Sequence, residues 1–338
     1  MIPKTNLICQ TSDWKKILAG GITDPRELLR RLGLKPGDVD PGLDAEKLFA
    51  VRVPEPFVAR MEYGRADDPL LLQVLPRGAE FDPSPGFVAD PLAEQGTPLP
   101  GLLHKYRNRV LFMASTACAV NCRYCFRRHF PYDDNQLPRK QWSRLFDYLR
   151  LHPDVNEVIL SGGDPLAASD SYLADLIERL SALPQLRRLR IHTRLPVVIP
   201  QRITGALLAS LEASPLQTVM VIHSNHAREL DDAVGDAMAR CQTAGIRLYN
   251  QSVLLRGVND TAAVLAGLSE RLFTIGVQPY YLHLLDRVAG AAHFDVPAAK
   301  ARAVMAQLLE LLPGFLVPTL VQEIAGQTSK TPVDLRLA

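Results

Sequence analysis

Short runs rich in β-branched residues alternate with amphipathic segments from residue 109 onward, a pattern typical of repeated βα units around a parallel sheet. The candidate strands are residues 109–115, 156–162, 187–193, 217–223, 246–252 and 277–285. Helical patterns lie between them, for example at residues 141–152, 171–183 and 231–245. A seventh run, residues 315–324, is a candidate strand that closes or borders the sheet, because Pro318 argues against a central position.

Nearly every candidate strand ends in residues that are able to do chemistry. Three cysteines follow the first strand, and the sequences SGGDP, HTR, HSNH, NQS and HLLD stand at the ends of the next five. A strand end also becomes polar simply by reaching water, but six in series favour a common site. Catalytic groups of barrel-like α/β folds come from the carboxyl ends of several strands. The sequence therefore predicts an α/β fold, a partial (β/α)6 barrel of the TIM-like type, with one shared site.

Residues 1–100 differ from the rest of the chain in their sequence pattern. Three segments suggest short helices broken by prolines, namely 24–34, 45–64 and 68–76. Residues 81–101 carry five prolines in a polar setting and resemble a linker. The pattern predicts three regions, which are a helical N-terminal extension with a proline-rich linker at 1–100, a barrel at 101–325 and a C-terminal tail at 326–338.

The composition limits the classes of function. Of 338 residues, 47% are hydrophobic and 22% are charged, and the formal net charge of +2 is unlike that of a disordered or nucleic-acid-binding chain. No apolar run approaches the roughly 20 residues that span a bilayer, and the N-terminus lacks the apolar block of a secretory signal. We therefore expect a cytoplasmic protein with a small-molecule ligand and with no nucleic-acid or membrane partner.

Three of the five cysteines lie within eight residues, at Cys118, Cys122 and Cys125. In a reducing compartment such a cluster indicates metal binding or redox chemistry rather than disulfides. Thiolates hold zinc or iron-sulfur centres, and a 4Fe-4S cluster held by three cysteines keeps one iron open for another ligand. A zinc site with His129 as the fourth ligand is the alternative. Cys9 and Cys241 are interpreted as ordinary thiols, with Cys241 buried on a helix.

The sequence SGGDP follows a buried type of strand and opens toward a helix. Its glycines would let a ligand approach bare backbone amides, although a plain turn is the more common explanation for two glycines that stand alone. Beside the cysteines we interpret four residues as ligand-binding, namely Ser161, Gly162, Gly163 and Asp164. Five further strand-end residues are candidates for contacts with the same ligand, namely Arg194, His223, Asn225, His226 and Gln251.

The spacing of the three cysteines resembles the signature of the radical S-adenosylmethionine superfamily. This resemblance implies a 4Fe-4S cluster on the three thiols and S-adenosylmethionine at the open iron. It also implies that the SGGDP residues and the five strand-end candidates bind S-adenosylmethionine. Five further segments resemble the lysine 2,3-aminomutase family in order and spacing over roughly residues 100 to 333, and they are HKYRNRVLFM, CRYCFRR, NQSVLL, PYYLHLLDRVAGAAHF and SKTP.

The resemblance to that family implies a second cofactor, pyridoxal 5'-phosphate, which is held as a Schiff base by a lysine followed by Thr-Pro. Lys330 matches this lysine. Lys105 and Arg109 match two cations near the phosphate of the cofactor. Members specific for lysine commonly carry arginine where this chain has Lys105, so one bidentate contact would be lost.

The same resemblance implies how substrate is bound. Arg127 matches the arginine that binds the substrate carboxylate, and Asp286 and Glu323 match two acids that bind its distal ammonium. Glu323 stands where catabolic members carry the shorter aspartate. We also expect the helical extension to close the pocket when both ligands are bound, because a radical must be kept from water.

The form of the cysteine loop, the ending SKTPVDL and the short tail resemble the branch of the family that serves elongation factor P. That branch implies conversion of (S)-α-lysine to (R)-β-lysine by a 5'-deoxyadenosyl radical. A ligase similar to lysyl-tRNA synthetase then attaches the product to elongation factor P. The branch also implies an electron donor such as flavodoxin or ferredoxin, and it lacks the zinc site that catabolic members carry in a C-terminal extension.

Three alternatives stand beside this interpretation. The first is a catabolic or antibiotic-pathway aminomutase with the same chemistry and no role in protein modification. The second is a radical S-adenosylmethionine enzyme that has lost pyridoxal phosphate. The third is a non-enzymatic electron-transfer or metal-binding protein.

Overall fold

One sheet of nine strands in sequential order forms the centre of the computed structural model, which describes residues 13–39, 42–94 and 97–336. The strands are β1 (Leu102–Tyr106), β2 (Arg109–Ser115), β3 (Glu157–Gly162), β4 (Arg188–Thr193), β5 (Gln217–His223), β6 (Arg247–Val253), β7 (Gln278–His283), β8 (Thr319–Gln322) and β9 (Thr331–Pro332). The strands from β2 to β8 run parallel, whereas β1 and β9 pair antiparallel with their neighbours. In the described part of the chain β1 and β9 end the sheet without pairing with each other.

The α-helices of the described ranges lie before the sheet or in its crossovers. They are α1 (Asp13–Ala19), α2 (Pro25–Arg31), α3 (Glu55–Val58), α4 (Trp142–Leu151), α5 (Asp170–Ser181), α6 (Leu195–Val198), α7 (Gly205–Glu212), α8 (Asp232–Thr243), α9 (Ala262–Thr274) and α10 (Ala298–Leu311). Helices α5, α7, α8 and α9 each begin after a Ser, Thr or Asp whose side chain accepts a hydrogen bond from an amide of the first turn. None of these described helices has the length and hydrophobicity that crossing a membrane requires.

The six predicted strands are confirmed, because each coincides with one of β2 to β7 to within two residues. The seventh run contains β8, which begins directly after Pro318 and lies next to the edge strand β9. The predicted α/β fold is likewise confirmed. Strands β1 and β9 were not predicted, because five half-polar residues and two residues are too short to show a period.

A side-chain contact links the two edges that the backbone leaves open. The hydroxyl of Tyr106, in β1, donates a hydrogen bond of 3.2 Å to Oε1 of Glu323, which directly follows β8. The partial barrel is therefore bridged by side chains rather than by a strand ladder.

The residues before β1 pack into the same apolar core as the βα units. Trp14, Leu28, Phe57 and Leu71 are almost fully buried and share one cluster with side chains of the sheet and its helices. The extension thus contributes to the core of the barrel.

Two of the three predicted N-terminal helices are present. Helix α2 lies in segment 24–34 and helix α3 in segment 45–64, whereas segment 68–76 contains only a short 3-10 turn. Proline explains the brevity of these helices, because it lacks an amide donor. Cys241 is buried on α8 as predicted, and Cys9 lies outside the described residues.

The extension holds residues 116–132, which we call the cysteine loop, through a buried ionic cluster. The carboxylate of Glu80 accepts hydrogen bonds from Nη2 of Arg123 at 2.5 Å and from Nη2 of Arg128 at 2.6 Å, and all three side chains are buried. These arginines flank Cys125 in the sequence. Arg123 also donates to the carbonyl of Phe49. The position of the cysteine loop therefore depends on the extension.

Replacing Glu80 by glutamine is expected to lower the free energy of unfolding by about 3 to 5 kcal/mol, because two buried cations lose their counter-charge. Glu55→Gln is the matched control, since it removes one partner of an exposed ion pair with Arg31 in the same extension and should change stability little. Urea denaturation followed by circular dichroism measures both variants. An equal loss of stability in the two variants would contradict the role of the buried ionic cluster.

Candidate active site

A cavity of about 460 Å³ lies at the carboxyl ends of the parallel strands. Its walls come from the cysteine loop, the ends of β3 to β7, the β1–β2 hairpin and the C-terminal tail. This placement is the one expected for the active site of a barrel-like α/β fold.

Most of the predicted site residues line this one cavity. They are Cys118, Cys122, Cys125, Lys105, Arg109, Arg127, Ser161, Gly162, Gly163, Asp164, Arg194, His223, Gln251, Asp286, Glu323 and Lys330. Residues more than 200 positions apart in the chain thus share one site, and their individual roles stay predictions.

The structure does not bring Asn225 and His226 into the lining of the cavity. The Asn225 amide group donates to the Gln73 side chain at 3.0 Å and to the Tyr124 hydroxyl at 2.7 Å. The His226 ring accepts a hydrogen bond of 3.2 Å from a backbone amide and caps a 3-10 turn. Both side chains are thus hydrogen-bonded to other parts of the protein.

The three thiols face the cavity from a single loop. Burial, with the neighbouring thiols, raises the pKa of Cys118 well above its ordinary value, and burial raises the pKa of Cys125 to about 11. Both are therefore protonated thiols until a metal centre displaces the proton. In a 4Fe-4S cluster each thiolate binds a different iron, so one loop with three spaced thiols suits that group.

His129 is not placed to complete a zinc site. Its side chain is exposed and does not line the cavity, and its ring nitrogen donates to the carbonyl of Ala289 at 3.1 Å. Among the described residues, no group of three His, Cys, Asp or Glu side chains is arranged to hold a single metal ion. The structure therefore does not bring His129 together with the three thiols.

A buried cation stands beside the cysteine loop. Nη1 of Arg194 lies 2.7 Å from the sulfur of Cys122, and its Nη2 donates to Gln73 at 2.8 Å and to Glu229 at 3.1 Å. Gln73 comes from the N-terminal extension. Arg194 therefore places a buried positive charge directly beside this sulfur.

The two glycines of SGGDP allow the cysteine loop to come close to β3. Gly162 has a φ of +122°, and a Cβ on Gly163 would lie 2.6 Å from the carbonyl oxygen of Ala117. The amides of Gly163 and Asp164 donate to the carbonyls of Ser115 and Ala117, both at 2.8 Å. The expectation of bare amides is thus corrected: these two amides hold the loop.

Asp164 joins β3 to the end of β4. Its carboxylate accepts hydrogen bonds from the Thr193 hydroxyl at 2.7 Å and from the amides of Leu166, Arg194 and Leu195 at 2.8 to 3.0 Å. Burial raises the pKa of Asp164, and these hydrogen bonds oppose that effect. In the structure Asp164 therefore holds the segment after β3 against the end of β4.

Two histidines that were not predicted line the cavity together with two predicted residues. Nε2 of Gln251 lies 2.6 Å from Nε2 of His223, and His192 and His283 line the same wall. Burial lowers the pKa of His223 to about 3 and the pKa values of His192 and His283 well below their ordinary range, so all three rings are neutral. Their position at strand ends, in HTR and HLLD, was the available signal.

Two cations of the cavity contact an acid from the proline-rich linker. Arg127 forms a bidentate ion pair with Glu94, through Nε at 2.7 Å and Nη2 at 3.2 Å. Lys105 Nζ lies 3.4 Å from the same carboxylate. The sequence did not identify Glu94 as a site residue, because a single acid in a proline-rich segment belongs to no recognisable motif.

Lys330 lines the same cavity, and the short strand β9, which follows it directly, pairs with β8. This pairing sets Gln322 against Thr331, so the residues beside them, Glu323 and Lys330, face each other. Lys330 Nζ donates to Oε2 of Glu323 at 2.6 Å. Burial raises the pKa of Asp286, nearby, to about 7, with Lys330 opposing the shift and Glu323 adding to it.

Comparison with known proteins places the chain in a class. Residues 113–264 match the family described as the Radical SAM superfamily. The L-lysine 2,3-aminomutase of Escherichia coli (strain K12) is 54% identical over 96% of this chain and 95% of that protein. The protein of that name from Haemophilus influenzae is 50% identical over 98% of both chains. The one from Clostridium subterminale is 34% identical over 95% of this chain and 78% of that protein.

The fold and the three-cysteine loop define a radical S-adenosylmethionine enzyme, a class that works with a 4Fe-4S cluster and S-adenosylmethionine. Within that class the chain belongs to the L-lysine 2,3-aminomutase family, and it is an isomerase. The predicted family is confirmed. The alternative of a non-enzymatic electron-transfer or metal-binding protein is therefore wrong.

Gly163→Ala is expected to prevent normal cluster binding, because the new methyl group would push against the carbonyls of Thr116 and Ala117 in the cysteine loop. Iron and sulfide content per chain after anaerobic reconstitution measures the effect. Gly267→Ala is the matched control, since nothing lies within 4 Å of its added Cβ on helix α9. The control should bind a full cluster, and a full cluster in Gly163→Ala would contradict the close-approach argument.

Proposed function

We propose that the protein converts L-lysine to β-lysine with pyridoxal 5'-phosphate bound to Lys330. The observation that carries this proposal is the position of Lys330 in the same cavity as the three thiols. A tail lysine of this kind is ordinarily a solvated surface residue. Here the side chain is only a quarter exposed, and its ammonium is paired with Glu323.

The residues present fit both cofactors. Lys105 and Arg109 line the cavity as cations for a phosphate, and the Arg109 guanidinium is stacked 3.8 Å from the centre of the Tyr106 ring. When bound, the cluster with S-adenosylmethionine would supply a 5'-deoxyadenosyl radical, and pyridoxal phosphate would carry the migrating amino group.

The substrate groups of opposite charge have partners of matching charge in the cavity. Arg127 would bind the carboxylate of lysine, while Asp286 and Glu323 would bind its distal ammonium. Each hydrogen bond to a charged group contributes about 1.5 to 3 kcal/mol, so the two acids select lysine over an uncharged analogue. Anchoring at both ends would hold the β-carbon within reach of the radical.

The protein also keeps water and stray charge from the reacting atoms. Phe49 and Leu92 of the N-terminal extension form part of the wall, which supports the idea that the extension closes the site. The neutral rings of His192, His223 and His283 add no charge that would compete with the substrate ammonium.

The finer proposal is that the product is (R)-β-lysine and that it serves elongation factor P. It is supported by the resemblance of the cysteine loop and the SKTPVDL ending to that branch. A ligase similar to lysyl-tRNA synthetase would consume the product, and a flavodoxin or ferredoxin in the cytoplasm would supply the electron. A catabolic lysine 2,3-aminomutase with no role in protein modification is the second candidate.

Chiral chromatography of the products tests the proposal directly. The enzyme is reconstituted anaerobically with iron, sulfide and pyridoxal phosphate, and then receives reductant, S-adenosylmethionine and (S)-lysine. (R)-β-lysine supports the elongation factor P branch, and the (S) product supports the catabolic candidate. Lys330→Ala should abolish β-lysine and the visible absorbance of the lysine-bound cofactor while the cluster remains. Retained β-lysine synthesis in that variant would contradict the role of Lys330.

Substrate capture should weaken in acid because Asp286 then loses its charge. With its pKa raised to about 7, the carboxylate is mostly ionised at pH 8 and mostly protonated at pH 6, whereas the substrate ammonium stays protonated. The value of kcat/KM for lysine should fall about tenfold between pH 8 and pH 6.

Asp286→Asn provides the control for this pH dependence. The variant should have a lower kcat/KM that changes little over the same range, because the amide does not titrate. If kcat/KM of the variant falls as steeply between pH 8 and pH 6 as that of the unmodified enzyme, a group other than Asp286 is responsible for the pH dependence.

A further inference from the structure

Glu94 lines the cavity, yet neither the sequence motifs nor the proposed function accounts for it. It belongs to the proline-rich linker, although its side chain is only 6% exposed. Its Oε2 accepts a hydrogen bond from Arg127 Nε at 2.7 Å, and its Oε1 accepts from Arg127 Nη2 at 3.2 Å. The same Oε1 lies 3.4 Å from Lys105 Nζ. One buried carboxylate therefore joins two cations of the site.

The contact with Glu94 uses only one edge of the Arg127 guanidinium. The remaining nitrogen, Nη1, lies 3.3 Å from the Ser161 hydroxyl and 3.4 Å from the Gly162 carbonyl, both long for a hydrogen bond. A guanidinium presents five donors in a rigid fork, so it can bind one carboxylate at the Nε edge and another at the Nη end. Glu94 and a substrate carboxylate thus have separate places on Arg127.

Glu94 stays ionised and paired with Arg127 and Lys105 although it is buried. Burial opposes its ionisation, but Arg127 and Lys105 together hold the pKa of Glu94 below its ordinary value, so the carboxylate stays charged at neutral pH. Its departure would leave the buried guanidinium of Arg127 without a counter-charge, which is strongly unfavourable. A carboxylate fixed in this place constrains Arg127 and Lys105 together.

We propose that Glu94 is a positioning residue, which orients Arg127 for the substrate carboxylate and sets the place of Lys105 at the cofactor phosphate. This inference rests on the proposed function, because it takes Arg127 and Lys105 as ligands of substrate and cofactor. The linker is then a structural part of the active site. A group that is misplaced by about 1 Å can cost about a hundredfold in activity, and for a residue that orients a substrate ligand we expect the cost mainly in substrate binding.

The opposite possibility is that Glu94 stands in for the substrate carboxylate and leaves when lysine binds. The two cases predict changes of opposite sign. Loss of the Glu94 charge raises KM for lysine if Glu94 positions Arg127, and it lowers KM if Glu94 competes with substrate.

The test compares Glu94→Gln, Glu94→Asp and the control Glu55→Gln as reconstituted holoenzymes. We expect Glu94→Gln to raise KM for lysine about tenfold or more while kcat changes much less. Its affinity for pyridoxal phosphate, measured by absorbance titration without turnover, should fall several-fold. Glu94→Asp keeps the charge on a shorter side chain and should lie between the two. The exposed Glu55 of the same extension should change neither quantity.

A KM in Glu94→Gln that is unchanged or lowered would overturn the proposal. If Glu94→Gln does not fold, judged by circular dichroism, Glu94→Asp carries the test with the same expected direction. A separate experiment shows whether the proposed function itself is wrong. Arg127→Gln should lose the preference for lysine over lysinamide, which lacks the carboxylate, and a preference that persists would refute the role of Arg127 whatever Glu94 does.

Discussion

A parallel sheet in strictly sequential order brings the carboxyl ends of its strands to one edge, and the active site depends on that constraint. Because β2 to β8 follow one another without changing order, successive loops meet at one cavity. Cys118 and Lys330 thereby share a site although 212 positions separate them in the chain. The antiparallel strands β1 and β9 add what the parallel strands cannot, since they bring Lys105 and Lys330 to the two open edges.

The N-terminal extension is joined to the site by buried charge and hydrogen bonds rather than by apolar contact alone. Glu80 neutralises two arginines of the cysteine loop, and Gln73 supports the Arg194 guanidinium that stands beside Cys122. Further along, Glu94 reaches Arg127. Breaking a buried ion pair leaves an uncompensated buried charge, so these contacts resist displacement of the cysteine loop from the extension.

Charges of both signs line the cavity beside neutral histidines. Glu94 bridges Arg127 and Lys105, and Lys330 is paired with Glu323. A ligand that carries both an anion and an ammonium finds partners of each sign in this cavity. The interactions are strengthened because the groups are buried, where the effective dielectric constant is lower than in water. The raised pKa of Asp286 is the corresponding cost of that burial.

The sequence by itself determined the βα order and the cysteine loop, because strand and helix periods and short motifs are local properties of the chain. Lys330 was singled out only by the family resemblance, and the pairing of β8 with β9 brought it to the cavity. Only the tertiary structure decided which polar strand ends face the cavity. His192 and His283 point into it, whereas Asn225 turns away to bond Gln73, more than 150 residues earlier. Glu94 likewise became part of the site only through Arg127, 33 residues further on. Partners at such separations leave no periodic or spacing signal, since their contact is created by packing of elements that the chain brings together only when folded.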